Sequence, residues 1–413
     1  MKVKSGYKLV KPLFQELEIP EEWEFTKLQS IVDILDSQRI PIKESERAKR
    51  SGKFPYYGAS GIIDYIDDYI FDEKLLCLAE DGENLVSRVL PIAFTLEDKT
   101  WVNNHAHVLR VKDSTDHDFI EFTLNHMLLL KYVAFTAQPK LNQKDMSSIL
   151  IILPKKPEQE KISSILSSVD ELISSIENSI DYTKKLKKGL MQKLLNRGID
   201  HKKFRKVKSL FGKYEELPEE WDFRSFGDFS KIRRGASPRP IQDPKYFGNG
   251  RGWIRISDVS RSFKYLEKTK DYLSESGESE SVAVNNGDVI MSIAATVGRP
   301  IILNMKACIH DGFILFSELS DEIHNEFLYY LLKYLESRFL NMGQQGSQSN
   351  INSDLVSKTK FKKPSLTEQR KIALILSKVD EKISDLQSNK DYLEKLPPGL
   401  MQKLLTGQIR VNA

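Results

Sequence analysis

Two stretches of this chain carry apolar residues at three- and four-residue steps. In 158–195 they are Ile162, Ile165, Leu166, Val169, Leu172, Ile173, Ile176, Ile180, Leu190 and Leu194. In 368–405 they are Ile372, Ile375, Leu376, Val379, Ile383, Leu386, Leu393, Leu396, Leu400 and Leu404. This period predicts one long helix in each stretch, with the apolar seam of a coiled coil. A rise of about 1.5 Å per residue makes each rod about 55–60 Å long. Pro154, Pro157 and Pro364 stand just ahead and suit helix starts. The stretches are also copies of one another. More than half of their positions match without a gap, including Glu158-Gln159 with Glu368-Gln369, Val169-Asp170-Glu171 with Val379-Asp380-Glu381, and Gly-Leu-Met-Gln-Lys-Leu-Leu ending both. Copies about 200 residues apart mark a duplicated half-molecule rather than a solenoid.

A rod with one apolar stripe must bury it. The other copy is one partner, which would give internal two-fold symmetry; the globular segment beside each helix is the alternative. The residues expected at the helix–helix seam are Ile165, Val169, Ile176, Leu190 and Leu194 against Ile375, Val379, Leu386, Leu400 and Leu404. Lys187-Lys188 of the first copy is replaced by Pro397-Pro398 in the second. Proline inside a helix removes a donor and costs about 3 kcal/mol. A kink or break is therefore expected near Leu396, with Pro398 opening a new turn.

Between the helices the pattern is shorter and mixed. Pro20-Glu-Glu-Trp23 and Pro218-Glu-Glu-Trp221 open two globular segments, with Trp23 and Trp221 expected in their cores. The first has β-like runs at 75–78, at Val102, at 106–110 and at 149–153, and a helical pattern over 118–135. The second repeats this order, with strands expected at 253–257, 288–293 and 313–316 and a helix over 325–340. Its sequence is otherwise little like the first. Divergent domains on a repeated scaffold imply that each recognises something different.

Composition changes this picture little. The chain has 413 residues, 40% of them hydrophobic, and a net charge of +4, which is compatible with nucleic acid without requiring it. Cys77 and Cys308 are its only cysteines and both lie in apolar runs, which argues for a reducing cytoplasm and no structural disulfide. No apolar run approaches the length of a membrane span, and the first residues lack the apolar core of a signal peptide. Residues 184–208 hold eleven Lys or Arg against one acid, Asp200, which suits either a nucleic-acid contact or a solvated linker.

No motif for catalysis stands out. There is no phosphate loop and no glycine-rich dinucleotide turn. His105-Ala-His107 could offer two metal ligands, but nothing at ligand spacing completes a set, and one surface and one packed histidine is the plainer reading. Several loops instead suit nucleic-acid contact, since small residues admit phosphates to the backbone while basic, amide and hydroxyl groups reach base edges. Pro55-Tyr-Tyr-Gly-Ala-Ser-Gly61 follows a basic stretch and offers Lys53, Tyr56, Tyr57 and Ser60. The 138–142 loop offers Lys140 and Asn142. In the second segment Arg233, Arg234, Ser237 and Arg239 crowd one loop, Arg251 and Arg255 flank Trp253, and Ser347, Gln348 and Asn350 stand where 138–142 stands in the first.

The paired helices with their Glu-Gln starts and Gly-Leu-Met-Gln-Lys-Leu-Leu ends, the two Pro-Glu-Glu-Trp openings and the Pro-Tyr-Tyr-Gly-Ala-Ser-Gly and Gly-Ser-Gln-Ser-Asn loops together resemble the specificity (S) subunit of type I restriction–modification systems. The resemblance covers nearly the whole chain. It implies an α+β protein with two target-recognition domains, 20–155 and 218–363, separated by an antiparallel coiled coil of two long helices, one over 156–199 and the other, with a C-terminal tail, over 364–413. Residues 1–19 would be a lead-in and 200–217 a basic linker. Each domain would read one half of a split, asymmetric site in double-stranded DNA. Two methyltransferase subunits, and motor-nuclease subunits in the full complex, would supply adenine-N6 methylation and ATP-dependent cleavage. S-adenosylmethionine, ATP and Mg would belong to those partners, and this chain would bind no cofactor or metal and catalyse nothing alone. A stand-alone DNA-binding regulator is the alternative, with a fused methyltransferase or nuclease behind it.

Overall fold

The computed structural model describes residues 4–10, 17–135, 137–208, 214–344 and 351–411. They form two compact units, Met1–Glu177 with Ser388–Ala413, and Asn178–Gln387. The helix Lys156–Arg197 and the helix Leu366–Leu405 each contribute one part to each unit.

In the first unit the strand Glu24–Lys27 pairs antiparallel with Leu150–Leu153, so the domain closes where the long helix begins. Between them lie two four-stranded sheets. One runs in the order Gly61–Ile66, Ser51–Gly58, Lys99–Val102, Phe71–Asp72, and the other Val32–Ile34, Ala106–Val111, Leu75–Ala79, Ala93–Leu96. Leu75–Ala79 is buried at every residue and is an uninterrupted apolar run, as a central strand should be. The second unit repeats the plan. Asp222–Ser225 pairs with Lys360–Lys363. One sheet runs Lys231–Arg234, Phe313–Ser317, Val289–Ser292, Pro300–Leu303, Tyr265–Leu266, and the other Asp271–Leu273, Phe247–Ile254, Ala307–Ile309, Val282–Val284. Both units contain the same parallel pair, Trp101 opposite Tyr56 in one and Trp253 opposite Cys308 in the other.

Both expected burials of the long helices occur together. Ile162 and Leu166 share the first unit's core with its strands and with Leu404 and Leu405 of the other helix. In the second unit Met191, Leu194 and Leu195 share a core with Ile372, Ala373 and Leu376. The helices run antiparallel in each unit: Glu158 meets Arg410 and Glu177 meets Lys390 in the first, and Lys187 meets Asp380 while Ile199 N donates to Glu368 in the second. Of the expected seam residues, Leu194, Leu386 and Leu404 are buried, and Ile165, Val169, Ile176, Leu190, Val379 and Leu400 are half-buried. Ile375 is a correction. It is 36% exposed, because Ile372, Ala373 and Leu376 take the inward face.

The expected break at Leu396 is also corrected, since the helix runs through Pro397-Pro398 to Leu405. The two missing donors leave the carbonyls of Leu393 and Glu394 unbonded. Glu394 is exposed and water can serve it, while burial of Leu404 and Leu405 holds the turns beyond. The helix expected over 118–135 stops at His126, where Arg88 donates to the carbonyls of Leu124 and Met127. The strand expected over 253–257 ends at Ile254, and a short helix, Ile256–Arg261, follows with Asp258 accepting from Arg255 N. The lead-in and the basic linker contain matching hairpins, Tyr7–Val10 with Leu17–Pro20 and Phe204–Lys208 with Tyr214–Pro218.

Candidate nucleic-acid interface

The repeated motifs hold each other. Trp23 Nε1 donates to Glu158 Oε2 at 3.0 Å, and Trp221 Nε1 donates to Glu368 Oε2 at 2.8 Å. A second side chain completes each latch: Arg410 donates Nε to Glu158 Oε1 at 2.7 Å and Nη2 to Oε2 at 3.0 Å, while His201 Nε2 stands 2.9 Å from Glu368 Oε1. The neighbouring glutamines act alike. Gln159 accepts from Asp116 N and donates to Pro154 O, and Gln369 accepts from His324 N and donates to Pro364 O. These motifs therefore fix each domain to its helix start. Gly198 belongs to the same joint. Its φ is +69°, and a Cβ there would lie 2.4 Å from Glu368 Oε1 and 2.8 Å from the Trp221 ring.

With the domains so fixed, each presents a polar rim at one topological place, the turn that follows its parallel strand pair. In the first unit this turn is 103–106. Arg39 donates Nη1 to Ala106 O at 2.7 Å and to Glu80 Oε2 at 2.8 Å. His107 places Nδ1 2.6 Å from Asp36 Oδ2 and Nε2 2.8 Å from Leu141 O. Burial works to raise the Asp36 carboxyl, but the hydrogen bond and charge of His107, the Val108 amide and Arg39 hold it below the usual carboxylate range. Lys140 reaches Glu80 at 3.2 Å, and His105 Nδ1 lies 2.8 Å from Asp81 Oδ2. Asn103 links this rim to the 51–66 hairpin by donating its amide to Tyr57 O, and its side chain accepts from His105 N. Asp36, Glu80 and His107 bring ligand-type atoms within 4.8 Å of one another. Arg39 and Lys140 already neutralise those carboxylates, so the group is a hydrogen-bonded charge cluster that needs no added cation.

In the second unit the corresponding turn is 310–313. Arg234 Nε donates to Asp311 O at 2.9 Å, as Arg39 does to Ala106 O. Ser237 Oγ donates to Asp311 Oδ1 at 2.9 Å and Arg239 Nη2 to Oδ2 at 3.0 Å. Gly235 permits the crossing, since a Cβ there would fall 2.1 Å from His310 O. His310 packs its ring 4.9 Å from Phe313. Arg255 Nε lies 2.5 Å from Asp271, and Arg251 donates Nη1 to Val284 O at 2.9 Å. Arg233 is exposed and has no ion pair among the described residues.

The candidate residues thus divide. Arg234, Ser237 and Arg239 come together around Asp311, and Lys140 joins the first rim. Arg233 stands on the strand that leads into the second rim. Arg251 and Arg255 lie half-buried beside acidic partners. Lys53 and Ser60 are exposed on the hairpin. Tyr56 is a correction: it is 1% exposed and its hydroxyl accepts from Ile42 N, so its ring anchors the sheet and is not offered to a ligand. Tyr57 is half-buried and stacked 5.7 Å from Phe94, and burial raises its hydroxyl pKa. Asn142 is a second correction. It is the N-cap of the helix Gln143–Ser147, accepting from Asp145 N, a structural task that leaves its amide engaged. The residue that repeats it is Asn352, which caps Ser353–Lys358. Ser347, Gln348 and Asn350 lie outside the described residues. Sequence reasoning missed Asp36, Arg39, Glu80, His310 and Asp311. The one available signal was His105-Ala-His107, which separates into an exposed and a buried histidine.

The family signature "Type I restriction modification DNA specificity domain" matches residues 20–182 and 218–394. The MjaVIII type I restriction enzyme specificity subunit of Methanocaldococcus jannaschii is 25% identical, with 96% of this chain and 95% of that one aligned. Among solved structures, the type I restriction–modification S subunit from M. genitalium aligns over 98% of both chains with a TM-score of 0.59 at 16% identity. The HsdS subunit from Thermoanaerobacter tengcongensis covers 95% of this chain and 98% of its own with a TM-score of 0.51 at 18% identity. At such identities the two structures speak for the fold.

Proposed function

This chain belongs to the type I restriction–modification DNA specificity family, and from that premise we propose that each of its two domains reads one half of a split DNA site. The chain is the DNA specificity subunit of such a system and is non-catalytic by itself. The proposed readers are 20–155 and 218–363, and the helical segments 156–199 and 364–413 are the proposed seats for two methyltransferase subunits. Motor-nuclease subunits would join the full complex. S-adenosylmethionine, ATP and Mg would be bound by those partners. No described helix is long and apolar enough to cross a membrane, and a cytoplasmic location is part of the proposal, since the proposed ligand is DNA.

One observation carries this reading: the same crossing of loop over turn recurs in both units with different polar side chains, upon latches that repeat. Equivalent position with unlike donors and acceptors is what reading two different half-sites requires. Lys53, Ser60, Lys140, Arg233, Arg234, Ser237, Arg239, Arg251 and Arg255 are the proposed DNA contacts. The test is to co-express the chain with the methyltransferase encoded beside its gene and map methylated adenines across a genome. A split motif with a fixed gap, present only with this chain, is expected. A contiguous motif would remove the two-reader reading, and no methylation from an active complex would favour a stand-alone regulator.

A further inference from the structure

We infer that His107 is a positioning residue for DNA reading by the first unit: clamped between Asp36 and the Leu141 carbonyl, it sets the strand that carries Lys140. The inference rests on the proposed reading and deepens it.

His107 is one of the few fully buried ionisable side chains of the unit, at 1% side-chain exposure, with Asp36 at 6% beside it. Both ring nitrogens face acceptors. Nε2 faces a backbone carbonyl, which can only accept, and Nδ1 faces a carboxylate whose other oxygen accepts from Val108 N. Nε2 donates to that carbonyl while Nδ1 meets the carboxylate, so the ring joins two segments far apart in the chain, one after the first strand of its sheet and one before the helix Gln143–Ser147.

What lies beyond Leu141 makes this matter for reading. Leu141 N donates to Glu80 O, Gly82 N donates to Pro139 O, and Lys140 bridges to Asp81 and pairs with Glu80. The strand bearing Lys140 is thus held along its length to the 80–82 loop, and its downstream end is pinned by His107. Lys140 keeps half of its side chain exposed. A base-reading lysine that shifts by about 1 Å loses its hydrogen-bond geometry, so the residue that fixes the strand governs discrimination without touching DNA. The second unit has no histidine at this place. There Ile314 follows the turn and Asp311 gathers the polar groups, so the dependence is confined to one half-site.

The experiment uses the methyltransferase complex and genome-wide methylation mapping on His107→Gln, with Lys140→Ala as a surface variant that spares the core. His107→Gln is expected to relax one base position, or two adjacent ones, in a single half-site by about tenfold, with the other half-site read as before. Lys140→Ala should relax the same positions. A purely structural histidine would lower total methylation while leaving both half-site sequences unchanged, and that result overturns the inference. If His107→Gln yields no folded chain, Lys140→Ala decides, and an unaltered motif from it overturns the proposal. A wild-type motif that is not split would remove the underlying reading instead, so the two failures are distinguishable.

Discussion

Removing Glu158 tests whether the repeated motifs work as latches. The carboxylate is 5% exposed and accepts from Trp23 Nε1 at 3.0 Å and from Arg410 at 2.7 and 3.0 Å. In Glu158→Ala the indole N–H of Trp23, a residue with 0% exposure, is left without its acceptor, which costs about 1–3 kcal/mol. Arg410 is 36% exposed and keeps Glu22 at 2.7 Å, so its lost pair adds only about 0–1 kcal/mol. The expected destabilisation is about 1–4 kcal/mol. Glu158→Gln keeps an acceptor for the indole and should cost about 1 kcal/mol. Trp23→Phe removes the donor but retains most of the ring. If the hydrogen bond links the two residues, the double-mutant cycle of Trp23→Phe with Glu158→Ala should give a coupling of about 1–2 kcal/mol. Urea unfolding followed by far-UV circular dichroism measures the four chains of the cycle and Glu158→Gln. A coupling below about 0.5 kcal/mol would refute the latch and leave the recurrence of Trp and Glu unexplained.

Four further outcomes are expected. Gly198→Ala puts a Cβ against Glu368 and Trp221 at a φ of +69° and should lower the unfolding free energy by about 1–3 kcal/mol in a denaturant titration. His117 is depressed to about 4 from 6.5, chiefly by burial with Lys74 adding, so the unfolded chain takes up the proton first as pH falls. Stability from this group is intact above about pH 6.5 and should drop by about 1–2 kcal/mol by pH 5, a slope that His117→Gln flattens. Arg233→Glu should abolish reading of one half-site in a methylation map, and uniform loss across both halves would instead mark a phosphate contact. Replacing Pro397 and Pro398 with lysine should leave helicity by circular dichroism unchanged, since the helix already runs through them, and stabilise the chain by about 2 kcal/mol or more in a denaturant titration. By the repeat, the lysine introduced in place of Pro397 would then face Asp170 as Lys187 faces Asp380; burial raises the Asp170 carboxyl, and a cation there should lower it.

Legibility followed the range of the interactions. The long helices were plain because their period is local and sustained over about ten turns, and the Trp-bearing domain starts were plain because they repeat. The helix expected to reach 135 was overdrawn because its stop depends on Arg88, a side chain 36 and 39 residues away whose role no local pattern announces. Tyr56 looked available because it sits beside glycines in a turn-like motif. Only pairing with Trp101 and the Ile42 amide reveals it as core. The polar rims were illegible for the same reason. Asp36 and His107 are 71 residues apart, and Ser237 and Asp311 are 74 apart.

The repeated and unrepeated residues divide by task. Trp23, Glu158 and Gln159 have counterparts in Trp221, Glu368 and Gln369 with the same indole–carboxylate bond and the same glutamine bonds to backbone, because any domain of this plan must be joined to its helix in the same way. Around the turns the plan is kept but the chemistry is not: an arginine donates to the turn carbonyl in both units, yet the carboxylates, histidines and lysines about it differ. Since a latch shares no side chain with its rim, a change in what is read need not disturb how the domain is held. The exception to equivalence lies in the latches themselves. Arg410 grips its glutamate with two guanidinium nitrogens, whereas His201 reaches its glutamate through one imidazole nitrogen, so the two joints are matched in place but not in the chemistry of their third member.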